Sequence, residues 1–432
     1  DGSWDEKNPY SDNNWDKDTE TYTYTNTIEL SSSKANGVYE GVYGPGDNYA
    51  MSYGLRLSGD LAEVKFINNG SIIGIMNDES SSNSYGSVSG YGIYNSAEMG
   101  NIENTGVISG DGSSSSNFGE GYGINNESGT IRDITNTGVI SGDGSSSGSY
   151  GSVSGYGINN ESGTIGAITN IGVISGSGAA SGSGSYASGK GYGINNELGT
   201  IGAITNIGVI SGSGAASSYG YGYGIYNDKE MGSITNIGII SGYSNSSNSY
   251  GFGYGINNES GTIGDITNIG IISGYGSSSA SSGSGEGHGI YNDSNDKEMG
   301  NITNIGIING IGESKDSQTS IAYGIYNYSG TIGDITNIGV ISGIGKNSPK
   351  LGITYGIGNN EDAEKIGNIT NIGIISATTG IGYGIYNSKQ MGSITNTGII
   401  SGTSYGIYNY SGTIGDITNT GVIYGKNNNA IK

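Results

Sequence analysis

Isoleucine, valine and asparagine recur at fixed places in a block of about 20 residues, separated by glycine, threonine and serine. Residues 122–142 read YGINNESGTIRDITNTGVISG. Close copies start at Tyr91, Tyr156, Tyr192, Tyr223, Tyr254, His288, Tyr323, Tyr355, Tyr383 and Tyr405, and a degenerate one, YGLRLSGDLAEVKFINNGSIIG, covers 53–74. Self-similarity at a fixed period means stacked units that cannot bury an apolar face alone. Glycine every few residues weakens a helix by about 1 kcal/mol each, and the apolar positions form no helical stripe. Each block therefore predicts three short strands: Gly123–Asn126, Ile131–Asn136 and Gly138–Gly142. The expected fold is all-β: a right-handed parallel β-helix (β-solenoid) of about 12 triangular coils, some 55–60 Å long at about 4.8 Å per coil.

In this register Ile124, Ile131 and Ile134 point inward. The adjacent Val139 and Ile140 leave the third face open, because strict alternation buries only one of them. Two asparagine columns run through every copy. One contains Asn126, Asn160 and Asn196, and the other Asn136, Asn170 and Asn206. Stacked amides can bond from coil to coil, so both columns read as structural ladders, with a row of ligand-binding amides as the alternative. A threonine row (Thr135, Thr169, Thr205, Thr235, Thr267) runs beside the second ladder. A regular threonine row can organise ice, but the next outward position switches between Thr137-type and Ile171-type residues, which argues against that use.

Between blocks lie variable Gly/Ser-rich inserts, all after the third strand, such as residues 143–154 and 177–191. They shrink to 377–382 and then to Thr403-Ser404. The expectation is a fringe at one corner of the rod, where per-repeat insertions often bind. Flexible linkers are the alternative, and alternating runs such as Ser181–Tyr186 could add strands and broaden the coils. Tyr150, Tyr186, Tyr219 and Tyr250 recur there and are the candidate ligand contacts.

The expected organisation is an N-terminal cap region over 1–52, solenoid repeats over 53–425, and a C-terminal tail over 426–432 read as the cut end of a longer precursor. The first region holds both tryptophans and a strand-like TYTYT run (Thr21–Thr25). Asp12, Asn14, Asp16 and Asp18 have the spacing of the start of a calcium loop, but Lys17 and Thr23 stand where an EF-hand needs Gly and Glu. A solvated acidic turn is the competing reading. The last block is near-perfect and is followed only by KNNNAIK, so it reads as uncapped.

Composition narrows function. The 432 residues include 86 glycines, 34 tyrosines and no cysteine, with a formal charge of −22. Such a polyanion is not expected to bind nucleic acid or anionic membranes, and no apolar run is long enough for a membrane helix. Absence of cysteine suits a chain that crosses an oxidising space unfolded. No charged, apolar leader opens the sequence. One histidine, His288, rules out a His cluster, and no P-loop pattern occurs. Asp133, Asp265, Asp334 and Asp416 share an outward column with Ala167, Ala203 and Ser233, which reads as a solvated face. No catalytic residue, metal or cofactor is expected beyond the calcium alternative, and the chain is not expected to be an enzyme.

The blocks YGIYNYSGTIGDITNTGVI and YGINNESGTIGAITNIGVISG resemble repeats in the passenger regions of autotransporter (type V secreted) surface proteins of Gram-negative bacteria. The resemblance covers roughly residues 53–425. It implies a secreted β-helix on the bacterial cell surface, acting as an adhesin or self-associating passenger. Its partners would be host-cell glycans or proteins, or like molecules on neighbouring cells. The membrane β-barrel of such proteins does not lie within these residues, and the repeats carry over no binding residue. The alternative is a structural subunit of an extracellular filament or surface layer, joined end to end through uncapped coils.

Overall fold

The computed structural model describes residues 87–427 except 116–117, 183–185, 282, 316–318 and 348–351, together with 429–432 and, nearer the start, 15–16, 21–24, 27–33, 49–57, 60–62 and 64–78. These residues form a parallel β-solenoid with no helix among them. Strands pair in register with the equivalent strand of the next coil: Tyr122 with Tyr156, Ile131 with Ile165, Ile140 with Ile174. The first face runs from Tyr49–Leu57 to Tyr405–Asn409. The second carries the I-T-N strands, such as Ile204–Asn206 and Ile234–Asn236. The third is a 13-stranded sheet from Thr27–Ser33 to Val422–Gly425, one strand more than the twelve blocks legible in the sequence. The additional strand lies inside the region read as a cap. There Thr21–Tyr24 also stacks in parallel on Lys65–Asn68, and Trp15–Asp16 closes it antiparallel.

Ile124, Ile131, Ile134 and Ile140 are fully buried and, with their equivalents in the coils between the first and the last, form one continuous core. The ambiguity at the third face resolves in favour of Ile140 as the inward residue, with Val139 half-exposed. Full burial of such side chains is worth about 1.5–3 kcal/mol each. The core exists only because coils stack, so stability is distributed along the rod.

The inserts differ from the fringe expected of them. Their residues continue the third strand and the next first strand, as in Val139–Ser146 and Ser152–Asn160. Burial alternates strictly along the former, with Gly142 and Gly144 inward. Beyond the isoleucine core the first and third faces close on each other as a two-layer wing. A Cβ at Gly142 would lie within 3.0 Å of the Tyr156 and Gly121 carbonyl oxygens. The glycine content that suggests flexible linkers instead permits backbone-to-backbone packing of two sheets. Only the tips, such as residues 147–151, are turns.

Both asparagine columns are buried ladders. Asn126 Nδ2 donates to Asn160 Oδ1 at 2.8 Å and to the Gly129 carbonyl at 3.0 Å. Asn136 Nδ2 donates to Asn170 Oδ1 at 2.8 Å and to the Val173 carbonyl at 3.0 Å. Each amide thus joins the next coil and adds a bond to a backbone carbonyl beside the turn, as at Gly129, which also accepts from the Thr164 N–H. The aspartate column is more than a solvated face. Asp133 Oδ1 accepts from the Ala167 N–H at 2.8 Å, Asp265 from Asn301 at 2.8 Å and Asp334 from Asn368 at 2.6 Å. These carboxylates take up N–H groups of the next coil between its two buried apolar residues of the second face.

The final coil differs from the uncapped end that was expected. The tail folds back in parallel beside Tyr405–Asn409: Ile407 N–H donates to the Ala430 carbonyl at 3.0 Å and Asn409 N–H to that of Lys432 at 2.9 Å. Lys432 Nζ lies 5.3 Å from the Tyr408 ring centroid. The second- and third-face residues Ile417 and Val422 are exposed.

Candidate functional site

Because each strand repeats in register, each outward position becomes a column with one side chain per coil. On the first face the leading residue of each block, tyrosine except at His288, forms a ladder. Tyr91, Tyr122, Tyr156 and Tyr192 stack with centroids 4.7–4.8 Å apart and planes within 9°. Gly123 is skipped in the pairing; Tyr122 therefore lies outward although Ile124 lies inward. Rungs such as Tyr91, Tyr122 and Tyr192 are buried against their neighbours, so the ladder is no platform for a sugar face. Burial raises the phenol pKa along it, as at Tyr192 and Tyr223.

His288 occupies one rung, stacked on Tyr254 at 4.9 Å and edge-on to Tyr323. It fills the tyrosine place, as a substitution in the repeat would. Burial lowers its pKa to about 3 and raises that of neighbouring Glu286 to about 7. The His288 Nε2 to Glu286 Oε2 distance is 4.0 Å, yet near pH 6 both groups are largely neutral, so the contact is not an ion pair. Their pH dependences oppose. Glu286 binds more protons folded than unfolded, so its contribution is favourable below about pH 4.5 and is lost as pH rises through 7. His288 is neutral in the fold, so stability falls as pH drops below about 6.5. Glu286→Gln is therefore expected to stabilise the protein at pH 8, by up to about 3 kcal/mol, and to change little at pH 4. Thermal melts of both proteins at the two pH values check this.

The sequence-predicted tyrosines separate into two pairs. Tyr150 and Tyr186 sit at wing tips, 64% and 71% exposed, with rings 6.4 Å apart. Tyr219 and Tyr250 are not loop residues: both open first-face strands, and their rings are 6.1 Å apart. Of the calcium candidates, Asp12, Asn14 and Asp18 lie outside the described residues, and only the backbone of Asp16 is described. Among the described residues no group of three or more His, Cys, Asp or Glu is placed to hold a metal ion.

A site that sequence reasoning missed lies on the outer surface of the third-face wing. A groove of about 250 Å³ is lined by Asn245, Tyr275, Ser277, Glu313, Lys315 and Asn347. Stacking in register brings them together, since Asn245, Ser277 and Glu313 share one column and Tyr243 and Tyr275 the next. Tyr275 stacks on Tyr243 at 5.2 Å with planes 2° apart, and Lys346 Nζ lies 5.3 Å from its centroid. The Tyr275 hydroxyl donates to the Glu313 carboxylate, and Asn347 Nδ2 donates to its other oxygen at 3.0 Å. Asn347 has φ of 60°, a left-handed conformation that Asn tolerates. Burial and the Glu313 charge raise the Tyr275 pKa. A pinned carboxylate, amides, hydroxyls and an ammonium around one ring edge suit a ligand rich in hydroxyl groups. The signal in the sequence was Tyr243 and Tyr275 at one repeat position, but Glu313 and Asn347 lie in later blocks with no local motif.

No protein-family model, curated protein or solved structure matches the chain.

Proposed function

We propose that this chain is a non-enzymatic adhesive rod, a passenger-type segment displayed on the bacterial cell surface that binds glycans on a host cell. The observation that carries the reading is the Tyr275–Glu313–Asn347 groove, set in a wing whose outer residues are held in fixed columns. Carboxylate and amide groups fixed before binding lose little entropy when a sugar hydroxyl arrives, which is how a small polar site gains affinity. A rigid rod then multiplies a weak contact when several copies engage one surface. The autotransporter resemblance agrees with this reading, as does a surface whose net charge of −22 keeps the rod soluble.

The test is a glycan array probed with the intact chain, beside Tyr275→Ala and Glu313→Ala. Binding by the parent is expected to weaken at least tenfold in each variant, about 1.4 kcal/mol. No array binding by the parent, or equal binding by the variants, refutes the site. Tyr150→Ala with Tyr186→Ala separates the wing tips from the groove.

A further inference from the structure

A second surface is built into the corner between the second and third faces. The residue after the second asparagine ladder is isoleucine in seven successive coils, from Ile171 to Ile372, and each of these side chains is 46–53% exposed. The same column holds threonine on either side of that stretch, at Thr105, Thr137, Thr397 and Thr420. Backbone bonding does not distinguish the two residue types. Thr137 N–H donates to the Asn104 carbonyl at 2.8 Å, Ile171 N–H to that of Asn136 at 2.7 Å, and Thr397 N–H to that of Asn371 at 2.8 Å. The fold accepts threonine here, so seven half-exposed isoleucines are not explained by the turn.

The flanking columns extend the patch. Thr169, Ile171, Val173 and Ser175 project outward together, and their equivalents through Ser376 include no Asp, Glu, Lys, Arg or His. A strip four columns wide and seven coils long is thus uncharged in a chain of net charge −22. Ile239, Ile307 and Ile374 in the third column are 38% exposed.

We propose that this strip is a lateral contact between two copies of the chain. Three observations select a second copy. An apolar side chain every coil, at about 4.8 Å, is matched rung for rung by a chain of the same rise. The strip is where two such polyanions approach with least repulsion. Its size, about 34 Å by about 20 Å from strand and residue spacings, gives about 700 Å² per partner, close to the roughly 800 Å² of a standard interface. A two-fold arrangement lets the isoleucine ridge of each copy lie against the Val/Ile flank of the other, a self-complementary contact. The groove residues lie outside the strip, so this contact stands or falls independently of glycan binding.

Sedimentation equilibrium of the full chain tests it, with the triple variant Ile237→Thr, Ile269→Thr, Ile305→Thr as the comparison. The parent is expected to show a monomer–dimer equilibrium that tightens with added salt, as screening relieves the mutual charge. The variant is expected to dimerise at least tenfold more weakly while keeping the parent's circular dichroism spectrum. The proposal is overturned if the parent remains monomeric at about 100 μM, or if the triple variant dimerises like the parent. If the triple variant is misfolded, Ile269→Thr alone is read in the same way. Because the chain has no cysteine, Ile269→Cys adds a second readout: disulfide-linked dimers above the level given by Cys in place of exposed Ser279 support the contact, and equal levels count against it.

Discussion

Asn268→Leu is expected to cost about 3–5 kcal/mol and to open the rod at that coil. Asn268 is fully buried in the middle of the second ladder. Its Nδ2 donates to Asn304 Oδ1 at 2.8 Å, to the Ile307 carbonyl at 3.0 Å and to the Gly270 carbonyl at 3.2 Å, and its Oδ1 accepts from Asn236 at 2.8 Å. Leucine has the same branched shape and the same number of side-chain heavy atoms, so no cavity forms and the loss is chiefly polar. Asn304 Oδ1 loses its donor and Asn236 Nδ2 its amide acceptor, both inside the core; the part-buried Gly270 and Ile307 carbonyls each lose one bond, and Gly270 keeps the Ile307 N–H. Each unsatisfied buried group costs about 1–3 kcal/mol. The same change at Asn419, the last rung, is expected to cost under about 1 kcal/mol, because Asn419 is exposed and water replaces the lost bonds. Amide hydrogen exchange distinguishes the two sites. Protection should fall in the coils around Asn268 and be unchanged mid-rod for Asn419→Leu. A cost under about 1 kcal/mol at Asn268 as well would mean that the ladder adds no net stability.

The ladder was legible in the sequence because it obeys the repeat. Any property fixed by one block, including strand identity, inward isoleucines and the two asparagine columns, appears a dozen times over and can be read without coordinates. The groove is of the other kind. Tyr275, Glu313 and Asn347 belong to three successive coils, and only stacking reveals that Glu313 lies beside Tyr275. The isoleucine ridge stands between these cases. Its switch from Thr137 to Ile171 is visible in the sequence, but half-exposure in seven coils depends on the corner geometry. Whether the inserts project as a fringe or broaden the coils was open in the sequence for a physical reason. Gly and Ser alternating in sequence are compatible with a flexible linker and with a sheet whose inner face lacks side chains. Burial alternating at every second residue, as along Val209–Ala216, decides for the sheet.

That distinction makes Gly242→Ala the sharper test of the wing. Gly242 lies on the third face opposite Gly222 and Tyr254 of the first, and a Cβ there would come within 3.0 Å of both carbonyl oxygens. Backbone cannot rotate aside as a side chain can, so one methyl group must force apart a pair of sheets that are themselves bonded to coils above and below. Overpacking a core usually costs about 1–3 kcal/mol, and here the expected cost is above about 3 kcal/mol. Ser241→Ala, one residue away on the outward side, is expected to change stability by less than about 0.5 kcal/mol. The chain contains its own comparison in Ala377, which stands in the Gly242 column where the connecting segment has shrunk. It is buried, while Gly402 in the same column would still bring a Cβ within 3.0 Å of the Tyr405 and Gly382 carbonyl oxygens, so the constraint follows the local spacing of the two sheets. Urea denaturation followed by hydrogen exchange is the measurement. A flexible insert would leave Gly242→Ala as harmless as Ser241→Ala. Two sheets in backbone contact instead require protection to be lost on both faces of that coil, at Tyr219–Asn227 and Ile239–Ser246, before the isoleucine core between them gives way.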